Sequence, residues 1–276
     1  MNSNWQQDNR PIGIFDSGVG GLTVYKEIRG SLPAENLIYF GDTARVPYGG
    51  KSYEVINRYS EQIAAFLVEK NIKLLVVACN TACALALSNL KKQLSVPVIG
   101  VIDPGVRAAI GAASRNNKIG VIGTKATIGS KAYQNKILRL RNDYNVYATA
   151  CPLFVPIVEE NLTSTTIAKE AVSMYLEYFK DKEIDSLILA CTHYPLLKPL
   201  ISDFFNNDVV LIDSAQETAR EVSQLLKALR ILHQSAQMGD NQFYVSDSPQ
   251  SFAAIAESFL PFSISDSCFF HDWQSK

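Results

Sequence analysis

The sequence predicts an α/β fold of two related, doubly wound parallel-sheet halves with a cleft between them. Short runs of Val, Ile and Leu alternate with amphipathic stretches along the 276 residues, which is typical of parallel strands covered by helices on both faces. A weak internal repeat supports two halves, because residues 12–17 resemble residues 119–124 and Cys79 is followed by Cys191 at a similar offset. No low-complexity linker separates the halves, which favours a compact pair.

The predicted strands are short, continuously apolar runs. Their β-branched content and their length favour strands over helices. Because the runs do not alternate with polar residues, we expect parallel strands that are buried on both faces. They cover residues 11–15, 37–40, 74–78, 96–100, 118–122, 146–150, 186–190 and 209–212.

Helices are predicted in the segments between the strands. Apolar residues recur at helical spacing in residues 55–67 and 215–229, as expected of helices with one buried face. Ser214 and Glu217 have the spacing of a capping box at the start of the second of these helices. Asp103-Pro104 predicts another helix start, with the aspartate as N-cap and the proline at the first helical position.

Composition and charge indicate an ordinary globular protein. Hydrophobic residues make up 47% of the chain, charged residues make up 19%, and the net charge is −1. This balance predicts neither nucleic acid nor an anionic membrane as a partner. The apolar runs are too short to span a bilayer, and the N-terminal "MNSNWQQDNRP" lacks the pattern of a secretory signal. The cysteines are odd in number, five, and are not densely spaced, which fits free thiols in a reducing cytoplasm better than a disulfide framework.

Two cysteine motifs are the main chemical signal. "VVACNTACA" and "LILACTHYP" each end an apolar strand in a cysteine, Cys79 in the first and Cys191 in the second. The polar residues that follow are Asn80 and Thr81 after the first cysteine, and Thr192 and His193 after the second. The carboxyl ends of parallel strands are where open α/β sheets bind ligands. The motifs therefore predict a site that contains two thiols.

The residue types of these motifs suggest acid–base chemistry on a small carboxylate. A cysteine before a helix faces the positive end of that helix, which lowers the thiol pKa and favours thiolate. The neighbouring amide and hydroxyl groups can hold a carboxylate without an arginine, and His193 can transfer a proton or stabilise a thiolate. Two alternatives remain open at this point. One is that the cysteines are only small buried residues, and the other is a zinc site formed by Cys79, Cys83, Cys191 and His193.

Two glycine-containing loops add candidate ligand-binding residues. "FDSGVGGLTV" follows the first strand and places Asp16 and Ser17 at its end, but Thr23 breaks the dinucleotide-binding pattern. Asp16 has an alternative role as an N-cap. "YFGDTARVPYGGKS" fails as a phosphate-binding loop, because Arg45 stands at its first glycine position. In this loop Tyr48 and Gly49 form a turn. The turn either covers a cleft or is an ordinary surface turn.

Together these stretches resemble the cofactor-independent aspartate/glutamate racemase family, and its glutamate branch in particular. The matching segments are "GIFDSGVGGLTV", "YFGDTARVPYG", "VVACNTACA", "GVIGTKATIGS" and "LILACTHYPLL". The resemblance implies interconversion of L- and D-glutamate, with no cofactor and no metal, to supply D-glutamate for peptidoglycan synthesis. It also implies an active site between two domains, residues 1–103 with 214–276 and residues 104–213, and it makes a homodimer possible.

The resemblance also assigns roles to individual residues. It implies that Cys79 and Cys191 are catalytic, Cys79 acting on the D-enantiomer and Cys191 on the L-enantiomer. The substrate-binding positions that it implies are Asp16, Ser17, Tyr48, Gly49, Asn80, Thr81, Thr192 and His193. Three other functions compete with it: a racemase for another amino acid such as aspartate, a non-enzymatic protein that senses an amino acid or inhibits a partner enzyme, and a zinc-dependent thiol enzyme.

Overall fold

The structure is a computed structural model that describes residues 8–113 and 115–273. Part of the N-terminal stretch that was distinguished from a secretory signal, residues 1–7, lies outside the described residues. Within them, two parallel sheets form the centre of the molecule. No helix in this part of the chain has the length and apolarity needed to cross a bilayer.

The first sheet combines strands from both ends of the described chain. Its strands are β1 (Ile12–Asp16), β2 (Leu37–Gly41), β3 (Leu74–Val77), β4 (Val98–Gly100), β9 (Asn241–Val245) and β10 (Cys268–Phe270). In space they run in the order β10-β9-β2-β1-β3-β4, and every recorded pairing is parallel. The central strand β1 is buried throughout.

The second sheet lies in the middle of the chain. Its strands are β5 (Lys118–Gly123), β6 (Asn145–Ala150), β7 (Ser186–Ala190) and β8 (Val210–Ile212). In space they run β6-β5-β7-β8, again with parallel pairing. This order repeats the β2-β1-β3-β4 order of the first sheet, so the weak sequence repeat corresponds to a repeated topology. Cys79 follows β3 and Cys191 follows β7, the equivalent third strand of each unit.

Helices connect the strands and cover the sheets. Those of the first half are α1 (Leu22–Ser31), α2 (Tyr53–Glu69), α3 (Asn80–Leu85), α4 (Leu87–Gln93) and α5 (Ile102–Ala112). Those that follow are α6 (Lys125–Gly129), α7 (Ala132–Leu140), α8 (Phe154–Glu159), α9 (Thr166–Leu176), α10 (Lys198–Phe204), α11 (Ser214–Leu229) and α12 (Pro249–Ala256). Helix α11 packs against α1 and α5 and also contacts β4 of the first sheet and β7 of the second, so it joins the two halves.

The eight predicted strands are all present, with ends that differ from the prediction by at most two residues. The two predicted helix starts are wrong in detail. Asp213, and not Ser214, caps α11, because its side chain accepts a hydrogen bond from the Ala215 N–H. Helix α5 begins at Ile102, before the predicted Asp103-Pro104 start. A proline is tolerated there because the first N–H groups of a helix have no partner within the helix.

Strands β9 and β10, which extend the first sheet beyond β2, were not predicted from the sequence. β9 alternates between exposed and buried side chains, and β10 is three residues long with two exposed phenylalanines. Neither strand forms the long apolar run that identified the others. β10 is the edge strand and β9 lies next to it, and neither is buried on both faces, whereas most of the runs identified from the sequence are.

Candidate active site

A cleft of about 370 Å³ lies where the carboxyl ends of the two sheets face each other. Ser17 follows β1, the Cys79 motif follows β3, Thr124 follows β5 and the Cys191 motif follows β7. The predicted site residues that line the cleft are Ser17, Tyr48, Gly49, Cys79, Asn80, Thr81, Cys191, Thr192 and His193. The fold therefore brings together residues that are far apart in the sequence.

Asp16 lies behind the cleft surface and joins the two halves. Its side chain is fully buried. One carboxylate oxygen accepts a hydrogen bond from the Gly18 N–H (3.0 Å), and the other accepts one from the Thr192 hydroxyl (3.3 Å). Burial raises the pKa of Asp16, and the nearby His193 charge and these hydrogen bonds partly offset that effect. Asp16 is not an N-cap, because α1 begins after Gly21 without a side-chain cap.

The Cys79 thiol lies beside the Ser17 hydroxyl, with 3.8 Å between Sγ and Oγ. Burial, followed by the charge of Asp16, raises the pKa of Cys79 to about 12. The expected lowering by a helix N-terminus is therefore wrong for this cysteine. Helix α3 is only six residues long, and its positive end does not compensate for the loss of water around the thiolate. These surroundings favour the neutral thiol form of Cys79.

Cys191 has a different environment, because a histidine lies next to its thiol. Its Sγ is 3.8 Å from Nδ1 of His193, and Nε2 of His193 is 3.0 Å from a carboxylate oxygen of Glu159. Burial opposes protonation of His193, but the contacts with Cys191 and Glu159 outweigh it and raise the pKa of His193 to about 10. The Cys191 sulfur therefore lies beside an imidazole whose protonated form is stabilised.

Glu159→Gln is expected to lower the pKa of His193 from about 10, because it removes the negative charge that favours imidazolium. Proton NMR of the histidine ring across pH 5–11 measures this. The raised pKa of His193 stabilises the folded protein. This contribution is complete below pH 6.5, the ordinary histidine pKa, and disappears as the pH rises through about 10. Because the pKa is lower in the variant, its contribution to folding stability is expected to disappear at a lower pH. Glu160→Gln is the matched control, and equal His193 titration in both variants would contradict the assignment.

Hydroxyl and amide groups form the rest of the polar lining. The hydroxyls of Thr81 and Thr124 are 3.0 Å apart across the two halves. The Tyr133 hydroxyl donates to Oδ1 of Asn80 (2.6 Å), which orients that amide. The Asn80 Nδ2 group is buried and has no hydrogen-bond partner among the described residues. A buried donor without a partner is costly, so this amide is suited to an acceptor on a bound ligand.

Two glycines allow the halves to approach closely at the cleft. A Cβ atom at Gly20 would overlap the Thr192 hydroxyl and would lie 2.5 Å from Nδ1 of His193. A Cβ atom at Gly49 would lie 2.6 Å from the Cβ of Thr124. Only glycine leaves room for these contacts. The two glycine-containing loops of the first half therefore lie against polar residues of the second half, Thr192 and His193 in one case and Thr124 in the other.

A family comparison decides what kind of protein has this arrangement. The model of the Asp/Glu/hydantoin racemase family matches residues 12–222, which include both cysteine motifs. The chain belongs to this family. It is a racemase, and therefore an isomerase.

Relatives and solved structures agree with the family assignment. The racemase is 51% identical over 251 residues to the glutamate racemase of Geobacter metallireducens, covering 91% of this chain and 93% of the relative. Its fold matches the crystal structure of glutamate racemase isoform RacE1 from Bacillus anthracis, with a TM-score of 0.92, 42% identity and coverage of 98% and 100%. It also matches glutamate racemase from Francisella tularensis in complex with D-glutamate (TM-score 0.88, 39% identity, coverage 96% and 97%). The predicted pair of parallel-sheet domains is confirmed.

Sequence reasoning missed several residues that line the cleft of the racemase. Glu159 and Thr124 contact predicted site residues, and Lys125 is an exposed cation at the edge. The apolar part of the lining comes from Val46, Pro47, Pro152, Val155 and Pro156. The "GVIGTKATIGS" segment included Thr124 and Lys125, so the strand-end rule that identified Asp16 also applied to them. No local signal marks Glu159, which lies at the end of α8.

The zinc alternative proposed Cys79, Cys83, Cys191 and His193 as ligands. Among the described residues, no group of three or more His, Cys, Asp and Glu side chains is arranged to hold a metal ion. The Cys83 thiol donates instead to the Val77 carbonyl oxygen (3.0 Å) and packs within the first half of the racemase.

Proposed function

We propose that this racemase interconverts L- and D-glutamate by transferring the α-proton between Cα and two thiols, those of Cys79 and Cys191. One observation supports this above the others: two buried thiols follow equivalent strands of two repeated units and line the same cleft. The names of the relatives support glutamate as the substrate, and one similar solved protein contains D-glutamate.

The proposed reaction needs one thiolate and one thiol on opposite faces of the substrate. The Cys191 thiolate removes the α-proton of L-glutamate, so that an S–H bond forms and the C–H electron pair moves toward the α-carboxylate. The Cys79 thiol then donates its proton to the other face, which forms D-glutamate and leaves a thiolate at Cys79. The reverse reaction exchanges these roles. Two groups on either side of one carbon are sufficient for this acid–base chemistry.

The surroundings of the two thiols differ. Burial, followed by the nearby Asp16, raises the pKa of Cys79 and so favours its thiol form, whereas the sulfur of Cys191 lies beside His193, whose pKa is raised to about 10. After turnover, the negative charge has moved to Cys79, where the Ser17 hydroxyl can donate to it.

The neutral donors of the cleft are proposed to bind the substrate and stabilise charge that develops on its carboxylate. The free Asn80 amide donor and the hydroxyls of Thr81 and Thr192 are placed for this, with Ser17 beside Cys79. Such donors act most strongly where water is excluded. Asp16 and His193 tune the thiols, while Tyr48 and Gly49 form part of the cleft surface. Free thiols and a D-glutamate product for peptidoglycan both fit a cytoplasmic enzyme.

The test is circular dichroism of purified, metal-free protein with D-glutamate and then L-glutamate, without any added cofactor. We expect both signals to decay to zero, with deuterium incorporated at Cα in D2O. Decay with aspartate but not glutamate would retain the chemistry and change the substrate. No decay with either acid would contradict the proposal and favour a binding role.

A further inference from the structure

The C-terminal segment packs against the loop that follows β2. The guanidinium carbon of Arg45 lies 4.0 Å from the ring centroid of Tyr59 and 4.2 Å from that of Trp273. The cation is therefore held between two aromatic rings, an arrangement in which the ring electrons attract the positive charge. Trp273 is in turn packed against Phe40 and His271, at centroid distances of 5.3 and 4.5 Å.

Arg45 connects this aromatic pair to a buried carboxylate. Its Nε donates to both carboxylate oxygens of Asp42, at 2.7 and 2.9 Å. The Asp42 side chain is fully buried and also accepts a hydrogen bond from the Ser246 hydroxyl (2.8 Å), just after β9. A buried carboxylate must be held by such partners, so its orientation depends on Arg45.

Asp42 in turn anchors the cleft turn, defined as residues Tyr48–Gly50. The Tyr48 hydroxyl donates to a carboxylate oxygen of Asp42, and its side chain is 1% exposed. Burial and the Asp42 charge raise the pKa of Tyr48 far above its usual value, so the hydroxyl stays protonated as a donor. Tyr48 and Gly49 line the cleft, and Gly49 lies against Thr124 of the other half.

We propose that Trp273 is a positioning residue for substrate binding, acting through Arg45 on the anchor of Tyr48. This inference rests on the proposed function. Trp273 fixes the guanidinium over Tyr59, the guanidinium orients Asp42, and Asp42 holds the cleft turn at its distance from Thr124. The C-terminal segment, in which the sequence shows no motif, thereby sets one side of the substrate cleft.

The test compares Trp273→Leu and Trp273→Phe with wild-type protein in glutamate racemisation. Trp273→Leu is expected to raise KM about 3- to 10-fold with little change in kcat, because the cation loses one aromatic face. Trp273→Phe is expected to restore most of the affinity. Phe269→Leu is the matched control, since this exposed aromatic packs on Tyr244 and does not contact Arg45.

A double-mutant cycle with Tyr48→Phe tests the route of the effect. If Trp273 acts through the Tyr48 anchor, adding Trp273→Leu to Tyr48→Phe raises KM by much less than it does in wild type. Thermal unfolding of each variant distinguishes weaker substrate binding from a loss of folded protein, which would lower the apparent kcat without changing KM. An unchanged KM in folded Trp273→Leu, or fully additive effects, would overturn the inference. Absence of racemisation in the wild type would instead overturn the proposed function.

Discussion

Replacing Cys79 or Cys191 with alanine is expected to lower glutamate racemisation by about 10²- to 10⁴-fold in both directions, the usual contribution of a positioned acid–base group. Each thiol is needed in every turnover, as donor in one direction and as acceptor in the other. Cys83→Ala and Cys151→Ala are matched controls, because both remove a buried sulfur that does not line the cleft. Circular dichroism with each enantiomer measures the rates.

A half-reaction distinguishes the two thiols. A glutamate analogue with a leaving group at the β-carbon can lose HX after one deprotonation, which requires only one base. We expect each single-cysteine variant to retain this elimination with one enantiomer and to lose it with the other. Cys79→Ala is expected to retain it with the L-analogue. Full racemisation in either alanine variant would contradict the two-thiol mechanism.

Gly20→Ala is expected to lower kcat about 10²-fold, which is the order of effect produced by a displacement of about 1 Å in a catalytic group. The new methyl would overlap the Thr192 hydroxyl and would lie 2.5 Å from Nδ1 of His193. Relief of this contact requires either the loop or the His193 ring to move, and the ring is what contacts Cys191.

Gly30→Ala is the matched control for this substitution. Gly30 lies in the last turn of α1 with nothing within 4 Å of the added methyl, and alanine is more stable than glycine in a helix, by about 0.5–1 kcal/mol in its interior and less near its end. We expect unchanged kinetics and a slightly higher melting temperature. Steady-state kinetics of both variants, with unfolding curves, make the comparison. Wild-type kcat in Gly20→Ala would show that the contact does not position His193.

Much of the fold could be predicted because its central strands are buried on both faces. Such strands must be continuously apolar, so the runs before Cys79 and Cys191 identified β3 and β7 directly. The ends of these strands then predicted the candidate site, because the residues at the carboxyl edge of a parallel sheet are those that directly follow its strands in the sequence. This is why residues directly after β1, β3 and β7 were found together.

What the sequence could not show depends on contacts between distant segments. Glu159 meets His193 only because α8 packs beside the end of β7, and nothing near residue 159 indicates that contact. The pKa of Cys79 was predicted in the wrong direction because its burial and the position of Asp16 beside it depend on tertiary contacts that the sequence around residue 79 does not show. The role of Trp273 depends on β9 and β10, which are strands without a long apolar run.

The unequal surroundings of Cys79 and Cys191 have a thermodynamic consequence. Two enantiomers have the same free energy in water, so the equilibrium constant between L- and D-glutamate is one. At that equilibrium, kcat/KM must be equal in the two directions, whatever charges surround each thiol. If Asp16 and His193 make kcat higher in one direction, KM for that enantiomer must therefore be higher by the same factor. The asymmetry of the cleft therefore appears as different KM values, so that the two enantiomers saturate the enzyme at different concentrations.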